Sequence, residues 1–400
     1  MPVAAQPLPL SDGFVDLITS GAPVGLAVSG GGDSVALLHL VAAMGGNIRV
    51  ASVDHGLRPE AADECAMVAR LCHRYGIAHQ TLRWTGWNGS GNLQDNARRA
   101  RYALLVEWAT AAGIADIALG HTADDQAETI VMALARGAGV DGLSGMAAMT
   151  MKAGVCFHRP LLHTTRTDLR SYLAAAGHEW CDDPSNDDPA YERIRIRQAA
   201  AMLTGLGLTP QALGQVARHM ATAAQALDQR TAELAAGYFV RQHGDMLITV
   251  DLRALSAEEA RRLVLAAMGW VNHGLSAPRR DEQNRLLHHL RQKQATTLAG
   301  CRFSFDGPVL RISREWAAVQ GHVTETTQLW DGRWRLSGPH APDLQIRALG
   351  AGIDLCGDWR DTGLPHLSLQ ATPAIWRAGR LISAPLAKFG ADWSAQIVAE

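Results

Sequence analysis

The sequence predicts an α/β domain with a parallel sheet, followed by a helical segment and a smaller β-rich domain. Residues 24–200 alternate short apolar runs with longer amphipathic stretches, which is the pattern of β-α-β units. Residues 206–295 are rich in Ala, Leu, Gln and Arg at helical periodicity, and short strand-like runs between turn signals follow from residue 296 onward. Because a chain of 400 residues usually needs more than one hydrophobic core, we expect three domains, at 1–205, 206–295 and 296–400.

The individual elements follow from local apolar patterns. In the first domain the strand candidates are short apolar runs at Val24–Val28, Ile48–Val53, Ile77–Leu82 and Ile117–Leu119. The helix candidates between them carry apolar residues at helical spacing and are Ser34–Ala43, Glu60–Tyr75, Leu93–Ala112 and Ala123–Arg136. The strand candidates of the last domain are Arg302–Phe305, Val309–Ile312 and Trp334–Leu336.

The composition is that of an ordinary globular protein, with 47% apolar and 19% charged residues. The formal net charge of −2 gives no general attraction to nucleic acid, so a polyanionic partner would need local basic patches. No apolar run approaches the ~20 residues of a membrane span, and the first residues lack a basic flank, so we expect a cytoplasmic protein without a membrane partner. Six cysteines without a C-x-x-C pair predict reduced, mostly buried thiols rather than disulfides or a metal cage.

A glycine-rich turn follows the first predicted strand. Val24–Val28 runs directly into Ser29-Gly-Gly-Gly-Asp-Ser34 and then into an apolar helix. Glycines let backbone N–H groups point into one concavity, and the helix N-terminus adds partial positive charge, so the turn predicts a phosphate-binding loop. The alternative is a structural turn. A Walker A loop is excluded because no lysine precedes Lys152, and a dinucleotide fingerprint cannot be laid over the run.

Four further polar motifs follow along the chain. They are VDHGLR at 53–58, NLQDNARRARY at 92–102, GHTADDQAET at 120–129, and DDPSN at 182–186, which is followed by YERIRIR at 191–197. Three of them follow a predicted strand or the loop beyond it, and ligands of open α/β sheets bind at that carboxyl-end rim. The glycine-rich turn and the four motifs are therefore expected to face one cleft.

The turn S-G-G-x-D-S resembles the loop of the PP-loop ATP pyrophosphatases, which have an adenine nucleotide α-hydrolase-like fold. Together with the other motifs, it makes residues 24–200 similar to the tRNA(Ile)-lysidine synthetase family over about half of the chain. The resemblance implies that ATP adenylates the C2 oxygen of the wobble cytidine of tRNA(Ile), and that the ε-amine of free L-lysine then displaces AMP. It also implies Mg²⁺, with Asp33 as a candidate contact, and an ATP-binding loop made of Ser29, Gly30, Gly31, Gly32, Asp33 and Ser34.

Two acidic residues at the predicted start of a helix are the candidates for handling lysine. Asp125 and Glu128 lie three residues apart, so both carboxylates project from one face. Beside His121, they are expected to bind the ammonium groups and to deprotonate the attacking amine, whose pKa of ~10.4 otherwise leaves it unreactive. The alternative is an acidic first turn favoured by the helix dipole. The candidate catalytic residues are Asp33, Arg98, Arg101, His121, Asp125 and Glu128.

Two pairs of residues are expected to contact the nucleotide. Arg98 and Arg101 lie one helical turn apart and are expected to stabilise charge that develops near the α-phosphate. A solvated basic face is the alternative for this pair. Asp54 and His55 follow the second predicted strand beside the phosphate loop and are expected to bind the nucleotide, with a structural loop cap as the alternative.

Two groups of arginines are candidates for binding the remaining substrates. Arg193 and Arg197 belong to an alternating run and are expected to bind phosphate or the carboxylate of the amino acid. A second basic group falls in the helical segment and is expected either to follow the tRNA backbone or to form an exposed charged helix; it comprises Arg279, Arg280, Arg285, Arg291 and Lys293.

Two other functions remain as alternatives. A tRNA-thiolating PP-loop enzyme would perform the same adenylation, but it would ordinarily use paired or nucleophilic cysteines, and none of the six is expected beside the cleft motifs. A non-catalytic RNA-binding protein with a relict nucleotide fold is the other alternative. The presence of Asp33, Asp125 and Glu128 argues against such decay.

Overall fold

The computed structural model describes residues 8–56, 60–85, 92–181, 192–274 and 278–398, without the side chain of Gln94. The chain forms two compact units, Met1–Ala224 and Gln225–Glu400. The expected division into three domains stays a prediction. Within the described residues, no helix has the length and apolar character needed to cross a membrane.

The first unit is built on a six-stranded sheet in the order β3-β2-β1-β4-β6-β5. The strands pair in parallel, except that the edge strand β5 is antiparallel to β6. The four strands predicted for this domain are present, which confirms the α/β fold class. The bounds are β1 Val24–Ala27, β2 Ile48–Asp54, β3 Ala78–Arg83, β4 Asp116–Leu119, β5 Met149–Lys152 and β6 Val155–His158.

Helices cover both faces of this sheet. Neighbouring residues of β4 belong to different cores: Ile117 packs with Trp108 of the fourth helix, whereas Ala118 belongs to the core that contains the second helix. A strand buried on both faces explains why these runs are apolar without alternation. The helices are α1 Asp12–Thr19, α2 Gly32–Met44, α3 Glu60–Arg74, α4 Leu93–Ala112, α5 Ala123–Ala135, α6 Val140–Leu143, α7 Arg166–Ala176, α8 Glu192–Gln198, α9 Ala200–Gly205 and α10 Pro210–Tyr238, which crosses the boundary between the units.

Side-chain caps fix where the helices around the sheet begin. The Asn92 side chain accepts a hydrogen bond from the backbone of Asp95 at the start of α4. Capping boxes formed by Thr122 with Asp125, and by Thr165 with Asp168, start α5 and α7. Such caps satisfy backbone N–H groups that have no partner inside the helix. They also set the positions of the first-turn side chains of α5 and α7.

A buried histidine of α2 packs against the segment after α7. The Nδ1 atom of His39 lies 2.6 Å from the hydroxyl of Tyr75, and its ring stacks on His178 with ring centroids 3.4 Å apart. Burial lowers the pKa of His39 to about 4, with smaller contributions from His178 and Arg74. The imidazole is therefore neutral in the folded protein at neutral pH.

The second unit contains antiparallel sheets and four helices among its described residues. The sheets have the orders β7-β8-β11-β10-β9, β12-β14-β15-β16 and β13-β17. The helices are α11 Ala257–Val271, α12 Arg280–Arg291, α13 Trp316–Val319 and α14 His366–Gln370. The strands are β7 Phe239–Gln242, β8 Asp245–Ile248, β9 Thr296–Leu298, β10 Cys301–Asp306, β11 Val309–Arg314, β12 Thr324–Glu325, β13 Trp334–Ser337, β14 Leu344–Ala348, β15 Pro373–Arg377, β16 Arg380–Ser383 and β17 Ser394–Ile397.

The stretch expected to be helical, 206–295, differs from that expectation at one place. Between α10 and α11 the chain forms the hairpin β7–β8, and β8 pairs with β11. The turn of this hairpin is made by His243 and Gly244, with φ of 46° and 95°. Two consecutive residues with positive φ match the twist of a tight hairpin.

The core of the second unit holds a buried guanidinium group. Arg333 is 1% exposed and donates hydrogen bonds to the carbonyl oxygens of Val271 and Gly244, the latter at 3.0 Å. Its Cζ atom lies 4.6 Å from the ring centroid of Trp270 and 5.9 Å from that of Trp334. Burial lowers the pKa of Arg333 to about 10, so the group still carries its charge at neutral pH.

Candidate active site

A cleft of about 910 Å³ lies at the carboxyl ends of β1, β2 and β4, the rim at which open α/β sheets bind ligands. The predicted residues that line it are Ser29, Gly31, Gly32, Asp33, Ser34, His55, Arg98, Arg101, His121, Asp125, Arg193 and Arg197. The cleft thus brings together residues from all the motifs that the structure describes. Of the predicted residues, Gly30, Asp54 and Glu128 are not part of its lining.

The glycine-rich turn forms a compact loop at the start of α2. The Ser34 hydroxyl donates to the Gly31 carbonyl at 2.9 Å and accepts from the Ser29 backbone at 3.1 Å. Gly30 has φ of 96°, which few residues other than glycine adopt. Gly120 at the end of β4 comes so close that an added Cβ would lie 2.9 Å from the Cα of Ser34. The loop is therefore held from both sides, with the N-terminus of α2 facing the cleft.

An arginine that the sequence motifs did not include links this loop to the acidic residues of α5. The Nε of Arg166 donates to Asp33 at 3.1 Å, and Nη2 donates to Asp125 at 3.2 Å. Nη1 lies 3.5 Å from Glu128. The backbone N–H of Arg166 donates to Asp124 at 2.7 Å. Arg166 thus connects the phosphate loop with both carboxylates that the sequence assigned to lysine.

These contacts change the pKa values of the charged groups in opposite directions. Burial raises the pKa of Asp33, and Arg166 offsets part of that shift. Burial would also raise the pKa of Asp125, but Arg166 and hydrogen bonds from Thr122 outweigh it and lower the pKa. Burial would lower the pKa of Arg166, yet the carboxylates of Asp125, Asp33 and Glu128 raise it above its usual value. Asp125 and Arg166 therefore stabilise each other's charged form.

Two further arginines surround Glu128, whose side chain is 6% exposed. The Nε of Arg197 donates to its Oε1 at 3.0 Å, and the Nε of Arg193 lies 3.6 Å from its Oε2. Both arginines lie on α8, four residues apart and thus on one face of the helix. Glu128 also lines a small cavity of about 50 Å³ beside the cleft. The structure thus places Glu128 in the arginine network behind the wall of the larger cleft.

Asp125 serves the helix and the cleft at the same time. Its Oδ2 accepts from the backbone and the hydroxyl of Thr122, at 2.9 and 3.0 Å, which is the capping contact. Its Oδ1 accepts from Arg166. One carboxylate oxygen of Asp125 therefore has the structural role that was considered as the alternative, because it caps the helix. The other oxygen contacts Arg166 at the cleft.

Asp54 and His55 behave differently although they are adjacent. The Asp54 carboxylate accepts from the backbone of Gly56 at 2.9 Å, which is the loop cap considered as its alternative, and Asp54 does not line the cleft. His55 does line it. The Nδ1 atoms of His55 and His121 are both buried and have no hydrogen-bond partner in the described part of the chain. Burial lowers the pKa of both rings, so two neutral imidazoles offer ring nitrogens to a ligand.

Arg98 and Arg101 both reach the cleft from α4. Their Cζ atoms lie 5.5 and 5.9 Å from the ring centroid of Tyr102, which holds the two guanidinium groups near each other. Burial lowers the pKa of Arg101. The two side chains bring positive charge to the cleft.

The expectation about cysteines is wrong in one respect. Cys65 and Cys181 line the cleft, although neither lies in a motif that the sequence placed there. The backbone N–H of Cys181 donates to the carbonyl of Gly30 at 3.0 Å, so this segment supports the phosphate loop. Burial raises the pKa of the Cys65 thiol, which keeps it protonated at neutral pH. All six cysteines are free, as expected.

Leu57, Arg58, the DDPSN motif at 182–186 and Tyr191 fall outside the described residues. At the opposite end of β4 from the cleft, Asp116, Cys156 and His158 lie close enough to share a metal ion. The His158 Nε2 is already 2.7 Å from the Asp116 carboxylate.

Comparisons with known proteins extend over nearly the whole chain. A family model for a PP-loop domain matches residues 13–202. A tRNA(Ile)-lysidine synthase from Ruegeria pomeroyi is 48% identical over 380 residues, which cover 94% of this chain and 91% of the relative. A tRNA(Ile)-lysidine synthase from Bradyrhizobium sp. is 38% identical over 262 residues, which cover 62% and 73% of the two chains. A solved U34-tRNA thiolase from Methanococcus maripaludis gives a TM-score of 0.45 at 17% identity over 54% of this chain and 76% of that one.

Proposed function

The chain belongs to the tRNA(Ile)-lysidine synthase family, and we propose that it ligates free L-lysine to C2 of the wobble cytidine of tRNA(Ile) with ATP. The observation that supports this activity best is one cleft shared by a phosphate loop and a group of carboxylates. Adenylation requires a place for pyrophosphate, and a dicationic amino acid requires carboxylates. Both are present at one edge of the sheet.

The loop Ser29–Ser34 holds the phosphates of ATP in this proposal. The first N–H groups of α2 have no partner inside the helix, and they carry the positive end of the helix dipole. The unpartnered Nδ1 atoms of His55 and His121 are polar positions for the nucleotide or the cytidine. Asp33 would hold Mg²⁺, because a carboxylate beside bound phosphates is the ligand that this ion prefers; Mg²⁺ supplies positive charge there.

Arg98 and Arg101 act in the first half-reaction. The C2 oxygen of cytidine attacks the α-phosphorus of ATP, the bond to pyrophosphate breaks, and negative charge develops on the phosphate oxygens. Guanidinium groups that line the cleft and stay charged stabilise that charge without reorganising. The product is an adenylated tRNA whose C2 carries AMP as a leaving group.

Asp125 and Glu128 act in the second half-reaction. Asp125, at the cleft, binds an ammonium group of lysine and accepts the proton that the attacking ε-amine must lose, and Glu128, behind the cleft wall, holds the arginines beside it. The amine nitrogen forms the new bond to C2, and AMP leaves with the electrons of the C2–O bond. Arg193 and Arg197, on the same side of α8, are the candidates for the carboxylate of lysine.

The alternative chemistry, thiolation, receives no support from the thiols beside the cleft. A sulfur-transfer enzyme needs a thiolate as nucleophile, and burial raises the pKa of the Cys65 thiol. The relatives that cover most of the chain are named for lysidine synthesis.

The test measures the incorporation of labelled lysine and the release of AMP in the same reaction. The full chain is incubated with ATP, Mg²⁺, labelled lysine and a tRNA(Ile) transcript, and the matched control transcript carries uridine at the wobble position. Lysine incorporated and AMP released should be equal, and both should depend on the cytidine. Asp33→Ala should lower AMP formation by roughly 100-fold or more, because it removes a contact beside the phosphates.

Two results would contradict the proposal. One is sulfur transfer by the wild type with no lysine incorporated into any tRNA. The other is AMP formation at the wild-type rate by folded Asp33→Ala protein, which would place the phosphate chemistry elsewhere.

A further inference from the structure

Arg166 occupies the carboxylates that lysine needs. One oxygen of Asp125 is taken by Thr122, and the other accepts from Arg166 at 3.2 Å. The oxygens of Glu128 face Arg197, Arg193 and Arg166. A substrate ammonium group that approaches Oδ1 of Asp125 therefore competes with the guanidinium of Arg166 for that oxygen. This step rests on the proposed function, which assigns these carboxylates to lysine.

The backbone of Arg166 is anchored by hydrogen bonds, and its side chain makes ion pairs with three carboxylates. Its N–H donates to Asp124, and the capping box of Thr165 and Asp168 fixes the start of α7. The side chain is 18% exposed, and Arg166 lines the open cleft. A long side chain with a fixed backbone and a solvent-accessible head can change partners without disturbing the helix.

The second partner of Arg166 is the phosphate loop itself. Its Nε donates to Asp33, the acidic residue of that loop, at 3.1 Å. A triphosphate bound at the loop would place several negative charges beside this guanidinium. Arginine binds phosphate with two parallel hydrogen bonds, which compete well with its contacts to carboxylates.

We propose that Arg166 is a positioning residue that keeps Asp125 closed to lysine until ATP occupies the phosphate loop and draws the guanidinium away. Lysine then binds after ATP, at carboxylates that have been freed for it. The consequence is positive coupling between the two substrates: ATP tightens lysine binding, and lysine tightens ATP binding by the same factor.

Equilibrium binding to the full chain measures this coupling directly. The dissociation constant of labelled L-lysine is determined without nucleotide, and again with saturating α,β-methylene-ATP and Mg²⁺, which cannot release pyrophosphate. In the wild type the analogue should tighten lysine binding about 5- to 150-fold, the usual range of coupling between sites. Lysine should tighten binding of the analogue by an equal factor.

Arg166→Gln removes the competing charge and keeps a polar side chain. This variant should bind lysine more tightly than the wild type without nucleotide, and the analogue should change that affinity by less than about twofold. Arg166→Lys keeps the charge and should retain part of the coupling. The matched control is Arg99→Gln, which also removes a guanidinium paired with a carboxylate, Asp95, on an exposed helix face and should keep the wild-type coupling.

The possible outcomes separate a failure of the role proposed for Arg166 from a failure of the proposed function. An unchanged lysine affinity on addition of the analogue to wild type overturns the role of Arg166, whatever the variants do, and so does retained coupling in Arg166→Gln. Normal incorporation of lysine into tRNA, combined with no lysine binding in the presence of the analogue, would also overturn the role of Arg166. If the wild type neither binds lysine nor incorporates it into any tRNA, the proposed function fails, and the inference fails with it.

Discussion

Arg166 in the first unit and Arg333 in the second are both arginines with little exposure, yet their surroundings differ. Arg166 contacts three carboxylates at the wall of an open cleft. Arg333 is enclosed, donates to backbone carbonyls and lies against two tryptophan rings. Carbonyls and rings move only with the backbone or the core, whereas carboxylates in a cleft accept other cations. The partners of a buried charge thus indicate whether it serves the fold or a ligand.

The largest expected effect concerns the carboxylate side of the Arg166 network. Glu128→Gln should lower lysine incorporation roughly thirty- to several-thousand-fold, because loss of one partner of a buried charge pair costs about 2–5 kcal/mol. Release of labelled AMP from the tRNA adenylation step should fall less than lysine incorporation. Both are measured in parallel on one preparation.

The control for this variant is Glu192→Gln, in which the carboxylate pairs with Arg136 at the surface. It should leave both half-reactions within about twofold, because exposed ion pairs contribute little. Loss of stability in Glu128→Gln without loss of lysine incorporation would show that the network around Arg166 stabilises the fold, as the contacts of Arg333 do. The contrast between the two arginines would then be wrong.

The next largest effect tests the opposite side of the comparison. Arg333→Met should lower the free energy of unfolding by roughly 3 kcal/mol, because each buried carbonyl left without a donor costs about 1–3 kcal/mol. The melting temperature should fall by roughly 10 °C, followed by the fluorescence of the flanking tryptophans. AMP formation by the folded fraction should be unchanged at low temperature.

Two variants sharpen this test. Arg335→Met changes an exposed arginine of β13, just after Arg333 in the chain, and should leave the melting temperature within about 2 °C. Arg333→Lys keeps a charge but not the two-armed geometry, so it should recover only part of the loss. A folded, stable Arg333→Met protein with altered lysine binding would contradict the structural role assigned to this group.

The last prediction extends the comparison to a buried base that loses its proton on folding. His39 has a pKa of about 4 when folded and ~6.5 when unfolded, so the unfolded chain binds more protons between these values. The free energy of unfolding should therefore decrease as pH falls from 6.5 to 4, by about 1.4 kcal/mol per pH unit from this residue. Above pH 6.5 the contribution is constant.

His39→Gln should remove this part of the acid dependence, and His73→Gln, at an exposed position on α3, serves as its control. Chemical unfolding curves at several pH values give the slopes. Identical slopes for wild type and His39→Gln between pH 6.5 and 4 would show that the buried imidazole does not lose its proton on folding.

The whole glycine-rich loop could be predicted from the sequence because it is formed by neighbouring residues. Ser29–Ser34 are contiguous, they follow an apolar strand, and the loop conformation depends on glycine within that run. The α/β class and four strands of the first sheet could be predicted for the same reason, since apolar runs and helical spacing are properties of short segments.

Arg166 could not be assigned in this way because its partners lie far along the chain. Asp33 and Arg166 are 133 residues apart, and only the strand order of the sheet brings them together. The local signal was the capping box Thr165–Asp168, which marks a helix start after β6, where a first-turn side chain faces the carboxyl edge. No motif marked Cys65 or Cys181 as cleft residues. The hairpin turn at Gly244 lies in a stretch whose composition is typical of helices.

β1 lies in the middle of its sheet, yet it precedes the other strands of that sheet along the chain. Its neighbour β2 follows soon, but β4 begins only at Asp116, and the segment around Cys181 that supports Gly30 is made later still. Contacts between such distant segments form slowly, and unpaired strand edges aggregate. We therefore expect nascent chains that end before β4 to expose one edge of β1 and to depend on chaperones until translation has passed Leu119.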